Sequence, residues 1–340
     1  MKAVIFHAPR RIVLEEVALR EPGPGELRVK LGAALTCGTD FKAYRRGHPV
    51  LLGPLPSPFG HELAGTVDAV GAGVSAFKTG DRVVVANSAP CDGCYFCDRG
   101  QNQLCDRLRL HNGAYAEHDL VPANIVRHNV WKLPDGLAFE TAALSEPLAC
   151  AVHGVEATGC AAGETVAVIG AGPMALLIVQ TLKAKGCRVL VVGRGRENLE
   201  KARSAGADEI CSTLEGEIGP RLRRLTDGRG ADAVIEAVGL PETWQQAMAM
   251  TRKGGRVCLY GGCAPGTQVP VDAHRVHYEQ LTLLGVFHHT PKYFKQALDL
   301  LACGKIKTDL LVSGRIRLAD VPAFFEANAE KSIPKTVVTA

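Results

Sequence analysis

From Thr165 to Phe287 the chain alternates apolar runs with helical runs, and glycines mark the first junction. "TVAVIGAG" leads into "PMALLIVQTLKAKG" and "RVLVVG" into "RENLEKARSAG"; "ADEICS", "GADAVIEAVG", "GGRVCLYGG" and "LTLLGVF" follow. Six apolar strands separated by helices predict a parallel, doubly wound α/β sheet. At the first junction, Gly170-x-Gly172-x-x-Ala175, completed by Pro173 and Met174, has the G-x-G-x-x-G/A spacing. Gly170 allows the tight turn, Gly172 lets a pyrophosphate approach the backbone, and Ala175 lets helix and strand pack closely. The free N–H groups and dipole of the helix N-terminus then favour the phosphates. A strand before the pattern and a helix after it make this a dinucleotide site rather than a simple turn.

The next strand of such a fold ends in an acid when the ligand is NAD, because the carboxylate accepts from the ribose 2′-OH. Here it ends in Gly193, followed by Arg194, Gly195 and Arg196, and Glu197 comes late. Glycine removes the acid and leaves room, and two arginines suit a 2′-phosphate. NADP(H) is therefore expected over NAD(H); the ordinary alternative is a solvated basic face.

The first 85 residues have another character. "KAVIF", "RIVLEEV", "ELRVKLGAA", "ELAGTVDAV" and "DRVVV" are strand-like runs punctuated by Gly, Pro and Asp, which predicts an antiparallel, barrel-like region. After Phe287 come an amphipathic helix, "PKYFKQALDLLACG", and a closing strand, "KTVVTA". Three segments are expected. Residues 1–149 form a β-rich domain with a lobe at about 88–110, residues 150–286 form the inserted dinucleotide domain, and residues 287–340 return to the first domain.

"PCDGCYFCDRGQNQLC" places Cys91, Cys94, Cys97 and Cys105 within sixteen residues. The N-terminus has no secretory pattern, and no apolar stretch reaches the ~18 residues of a bilayer span. A cytoplasmic location is the default, and there a tight cysteine cluster reads as a metal site rather than as disulfides. A net charge of +4 over 340 residues predicts neither a nucleic-acid nor a membrane partner.

Ligand-type residues also occur in three separated stretches. "TCGTDFKAYRRGH" holds Cys37, Thr39, Asp40 and Lys42; "PFGHELAG" holds His61 and Glu62; "LSEPLACAVHG" holds Glu146 and His153. Singly each fits an ordinary structural role. Together they supply a thiolate, an imidazole and carboxylates, and catalytic zinc typically takes three protein ligands with one position open.

"CGTD", "GHE", the four-cysteine lobe, "SEPLACAVHG" and "GAGPMA" occur along nearly the whole chain in the order found in zinc-dependent medium-chain alcohol dehydrogenases. The chain resembles that family, and within it the sorbitol/polyol and threonine dehydrogenase branch. The resemblance implies a GroES-like catalytic domain plus an inserted Rossmann domain, two zinc ions per chain, and a homodimer or homotetramer. It implies that Cys37, His61 and Glu62 hold the catalytic zinc, with Glu146 beside it as an alternative ligand. It assigns Cys91, Cys94, Cys97 and Cys105 to a structural zinc, whose four thiolates leave no position for substrate. The implied substrate is a secondary alcohol of a polyol, sugar or amino alcohol. Thr39 matches the hydroxyl that takes the alcohol proton. Lys42 stands where the family often has a histidine, so it either ends that relay or binds the cofactor. Two rival readings stay open: a carbonyl reductase working from NADPH towards the alcohol, and a non-catalytic zinc- and nucleotide-binding protein.

Overall fold

The computed structural model describes residues 1–216, 218–331 and 333–340, and they form two compact units. The first comprises Met1–Ala149, His289–Cys303 and Val312–Ala340, and the second Cys150–His288 and Gly304–Leu311. The C-terminal stretch expected as one piece from residue 287 thus starts at His289 and is divided. Gly304–Leu311 belongs with the second unit, where Lys307 N donates to Gln180 Oε1 (2.6 Å) and Lys307 Nζ to the Ser204 carbonyl (2.8 Å).

The first unit is built on a seven-stranded sheet. Its path runs Val130–Lys132, Arg82–Val85, Glu62–Val70, Leu27–Leu35, Lys335–Thr339, Val312–Arg317, and His118–Val121 also pairs with Leu27–Leu35. Every pairing is antiparallel except that of the last two strands on the path. From Leu27 to Ala33 the side chains alternate in burial, so one face enters the core, as a period of two requires, and Ala34 and Leu35 are buried as well. Val337 and Val338 pair with Leu35 and Ala34, which draws the last strand into the sheet between elements about 300 residues apart in sequence.

Helix Gly38–Arg46 follows directly. Cys37 is its N-cap: the thiol accepts from Thr39 N, and Asp40 reaches back to Cys37 N (3.0 Å). That reciprocal capping fixes where the helix starts. Phe41, on its buried face, stacks on Phe325 with centroids 4.4 Å apart, and Phe325 lies edge-on to Phe59 at 5.4 Å. Burial of rings of this kind is worth roughly 1.5–3 kcal/mol each, so the helix that carries Cys37 is held by its own core.

The second unit is a six-stranded parallel sheet in the order Glu209–Ser212, Arg188–Gly193, Thr165–Ile169, Ala231–Glu236, Thr251–Leu259, Thr282–Gly285. This is the doubly wound order that places a ligand crevice at the carboxyl ends of the first strands. No helix among the described residues is long and apolar enough to cross a membrane.

Candidate active site and metal centres

The lobe cysteines converge. All four sulfurs lie within 4.8 Å of one another, with Cys91 and Cys97 4.0 Å apart and Cys94 and Cys105 3.8 Å apart. A disulfide would need about 2.05 Å, and every cysteine is a free thiol. Four sulfurs each about 2.3 Å from a tetrahedral zinc are about 3.8 Å apart, so the donors fit that ion. The backbone N–H of Cys97 leads the influences that draw the Cys94 thiol down to about 6, whereas burial pushes Cys105 up to about 12.

The second cluster joins Cys37, His61 and Glu62, whose ligand atoms also lie within 4.8 Å. Three local devices aim them. Cys37 is fixed by the helix cap. His61 follows Gly60, which has φ +86° and has the Tyr115 ring 2.7 Å from where a Cβ would stand; both demand glycine. Glu62 opens the strand that pairs with Leu35.

A supporting ring stands behind these ligands. His61 Nδ1 lies 2.9 Å from Asp40 Oδ1. A carboxylate only accepts, so Nδ1 carries a hydrogen, and Nε2 is left as the ring atom that faces Cys37 and can ligate a metal once its own proton is lost. Asp40 is itself held by the Tyr115 hydroxyl (2.6 Å) and by Cys37 N, and Tyr115 also donates to the Leu35 carbonyl (3.1 Å). Burial alone would lower the His61 pKa, but the charge and hydrogen bond of Asp40 outweigh it and lift the imidazole well above its ordinary value. A metal cation at this site therefore displaces a proton. The donor set of thiolate, imidazole and carboxylate, oriented by an imidazole–carboxylate bond, fits catalytic zinc.

Glu62 is wholly buried, and both of its oxygens lie 2.6 Å from Lys335 Nζ. Burial would lower the lysine pKa; the Glu62 charge outweighs it and keeps the ammonium protonated. Glu146, in the first turn of helix Ser145–Ala157, is pushed up to about 7, by burial above all and against the pull of His61. Its Oε1 lies 3.7 Å from His289 Nε2. Thr39 is half-buried in the first turn after Cys37, and Lys42 is exposed one turn further on. His153 belongs to the second unit, where its Nδ1 donates to the His288 carbonyl (2.7 Å).

Sequence reasoning missed Lys335 and Asn87, and named Tyr115 and His289 only as parts of the loops "HNGAYAEH" and "GVFHHTPKYF", read as pocket loops suited to a polar substrate. Lys335 opens a strand with no sign of a partner in the sequence. The one available signal for Lys335 is a lone cation at the head of an otherwise apolar "TVV" run.

In the second unit Gly170 has φ +120°, which L side chains rarely adopt, and Gly172 is the N-cap of helix Pro173–Ala184 with open space where a Cβ would stand. No side chain caps that helix, so its first N–H groups remain available to an anion. Pro173 is its first residue, Met174 follows, and Ala175 is buried. Strand Arg188–Gly193 carries no acid at its end; Arg194 and Arg196 are exposed, and Glu197 pairs with Lys201 (2.8 Å). A Cβ on Gly193 would lie 3.1 Å from Ala171 Cβ, so packing alone already favours glycine there.

Comparison with known proteins agrees with this architecture. Residues 23–135 match the alcohol dehydrogenase GroES-like domain and residues 173–303 the zinc-binding dehydrogenase domain. The chain is 35% identical over 315 residues to L-threonine 3-dehydrogenase of Pyrococcus furiosus, covering 89% of this chain and 88% of that protein. It is 30% identical over 328 residues to sorbitol dehydrogenase of Bacillus subtilis, covering 94% and 90%. Among solved structures, a zinc-binding dehydrogenase from Sinorhizobium meliloti bound to NADP superposes with a TM-score of 0.92 at 31% identity over 100% of this chain and 99% of that one. RspB from Escherichia coli complexed with NADH gives 0.89 at 29% identity, covering 100% and 99%. The chain belongs to the zinc-dependent medium-chain alcohol dehydrogenase family, among its polyol-, sorbitol- and threonine-type members. Its fold is the family's GroES-like domain joined to a Rossmann domain.

Proposed function

We propose that the enzyme transfers hydride between a secondary alcohol of a polyol or related sugar alcohol and the nicotinamide of NADP(H), at the site formed by Cys37, His61 and Glu62. The observation that carries this reading is the convergence of those three ligands in front of Asp40, which sets the tautomer of His61. When bound, zinc supplies a Lewis acid to the alcohol oxygen and the dinucleotide supplies the hydride acceptor. The chain's own residues do the rest. Cys37, His61 and Glu62 hold the metal, Glu146 stands by as an exchangeable carboxylate, and Lys335 balances the charge of Glu62. Thr39 takes the proton of the alcohol, and Lys42 lies one turn further along the same helix. The lobe cysteines hold a second, structural zinc. The site works equally in the reducing direction, and the enzyme acts as a homo-oligomer in the cytoplasm.

The preference for NADP(H) is supported by Arg194 and Arg196, exposed and without an acidic partner among the described residues, and by the NADP held in the Sinorhizobium relative. A charge-assisted hydrogen bond contributes about 1.5–3 kcal/mol. Arg194→Ala and Arg196→Ala should therefore each lower kcat/KM for NADP by about ten- to a hundredfold while NAD is scarcely affected. The test is kcat/KM for both cofactors across a panel of polyols, sugars and amino alcohols. Equal values for NADP and NAD in the unaltered enzyme would overturn the cofactor assignment, and no turnover with any alcohol would overturn the reaction.

A further inference from the structure

Asn87 is 5% exposed, yet only part of its amide is used. Its Oδ1 lies 3.1 Å from His289 Nε2. An amide oxygen only accepts, so Nε2 carries the hydrogen. The Asn87 carbonyl accepts from His111 N (2.8 Å). Its Nδ2 donates to no atom among the described residues. That atom keeps contact with open space, so a ligand can reach it.

The position of Asn87 gives the open donor a use. Strand Arg82–Val85 pairs Val85 with Leu63, and Asn87 follows that pair by two residues on one side as His61 precedes it by two on the other. At the other end of the row, His289 Nε2 reaches Glu146 Oε1 (3.7 Å). His289 itself is 1% exposed and stands just before Thr290, the N-cap of helix Pro291–Ala302. An amide, an imidazole and a carboxylate thus form one row in the unit that also holds Cys37, His61 and Glu62.

We propose that this row reads a second hydroxyl of the substrate, on the carbon next to the one that reacts. Asn87 Nδ2 donates to that oxygen, and His289 positions the amide so that Nδ2, not Oδ1, faces the substrate. A hydroxyl oxygen has lone pairs to accept with. An ammonium has none and would meet N–H with N–H, and a monohydric alcohol leaves the donor unmade. The substrate class is therefore a vicinal polyol, in preference to a vicinal amino alcohol or a simple secondary alcohol. This assignment rests on alcohol oxidation at the Cys37, His61 and Glu62 site.

The experiment uses the zinc-loaded full chain and measures kcat and KM for sorbitol, 2,3-butanediol, 3-amino-2-butanol and 2-butanol. It compares the unaltered enzyme with Asn87→Leu, His289→Phe and His289→Gln, and calorimetric titration of each alcohol onto the enzyme with reduced cofactor present supplies a readout independent of turnover. Asn87→Leu should lower the ratio of diol to monohydric kcat/KM by about ten- to a hundredfold, chiefly through KM, with a matching loss of diol affinity. His289→Phe should do the same. His289→Gln, which restores an N–H to Asn87 Oδ1, should recover most of the ratio. Unchanged ratios, or equal losses on diol and monohydric alcohol, overturn the assignment of Asn87 and His289. An unaltered enzyme that oxidises none of the four alcohols overturns the proposed reaction itself.

Discussion

Lys335 Nζ sits 2.6 Å from each oxygen of Glu62, with 273 positions separating them in sequence and both side chains buried. A charge pair in this setting contributes little beyond an apolar pair of the same shape, but losing one member strands the other. Lys335→Met should cost about 3–5 kcal/mol of unfolding free energy. Adding Glu62→Gln to that variant should restore a large part. Denaturant unfolding of the two variants, with and without zinc, measures both; a double variant as unstable as the single would show that the pair is not the source.

The lobe should lose its metal as a unit. Cys94→Ser removes one of four sulfurs that lie within 4.8 Å of one another. Zinc per chain should fall from two to one by atomic absorption, with a lower thermal midpoint. Full retention of both zinc ions and of the midpoint would dissociate the lobe from metal.

Tyr115 acts on the metal through Asp40 and His61. Tyr115→Phe keeps the ring among Phe59 and Phe325 but removes the donor to Asp40 Oδ2 and the Leu35 carbonyl. Stability should fall by about 1–3 kcal/mol, and affinity for the catalytic zinc by at least about tenfold. Competition against a chelator measures the affinity, and denaturant unfolding measures the stability.

His111 and Asp119 give a pH signature away from the metal ligands. His111 Nε2 lies 2.9 Å from both Asp119 oxygens. Burial alone would lower the imidazole pKa, but the Asp119 charge and hydrogen bond outweigh it, so the folded value is raised. A raised folded pKa means that the stabilisation is complete below the unfolded value, about 6.5, and disappears as pH rises through the folded value. Thermal midpoints of the unaltered enzyme and His111→Asn should differ most below pH 6.5 and converge at higher pH. A gap that widens with rising pH would contradict the pair.

How much of this is legible in the sequence depends on how far apart the partners lie. The lobe cysteines and the Gly170–Ala175 turn are local, so their spacing carries their geometry. Cys37, His61 and Glu62 lie within 26 positions, and the family resemblance links them without any fold in view. Lys335 cannot be read that way, because its role exists only through the pairing of Val337 with Leu35. Asn87 and His289 stand 202 positions apart, and each alone is an ordinary polar residue. In the sequence Gly193 reads as making room for a phosphate; the 3.1 Å approach of a Cβ there to Ala171 Cβ is a second constraint that only the fold displays. The division of the C-terminal stretch at Gly304 likewise rests on Gln180 and Ser204, which no local pattern connects to Lys307.

The strand that brings Lys335 into the sheet also sets an order of assembly on the ribosome. At about 5–20 residues per second, Glu62 emerges roughly 14–55 s before the lysine that neutralises it. During that interval the parallel-sheet unit has been made in full, while the metal-binding unit still lacks the strand between Leu27–Leu35 and Val312–Arg317. The Glu62 carboxylate therefore gains its buried partner only once that strand has been synthesised.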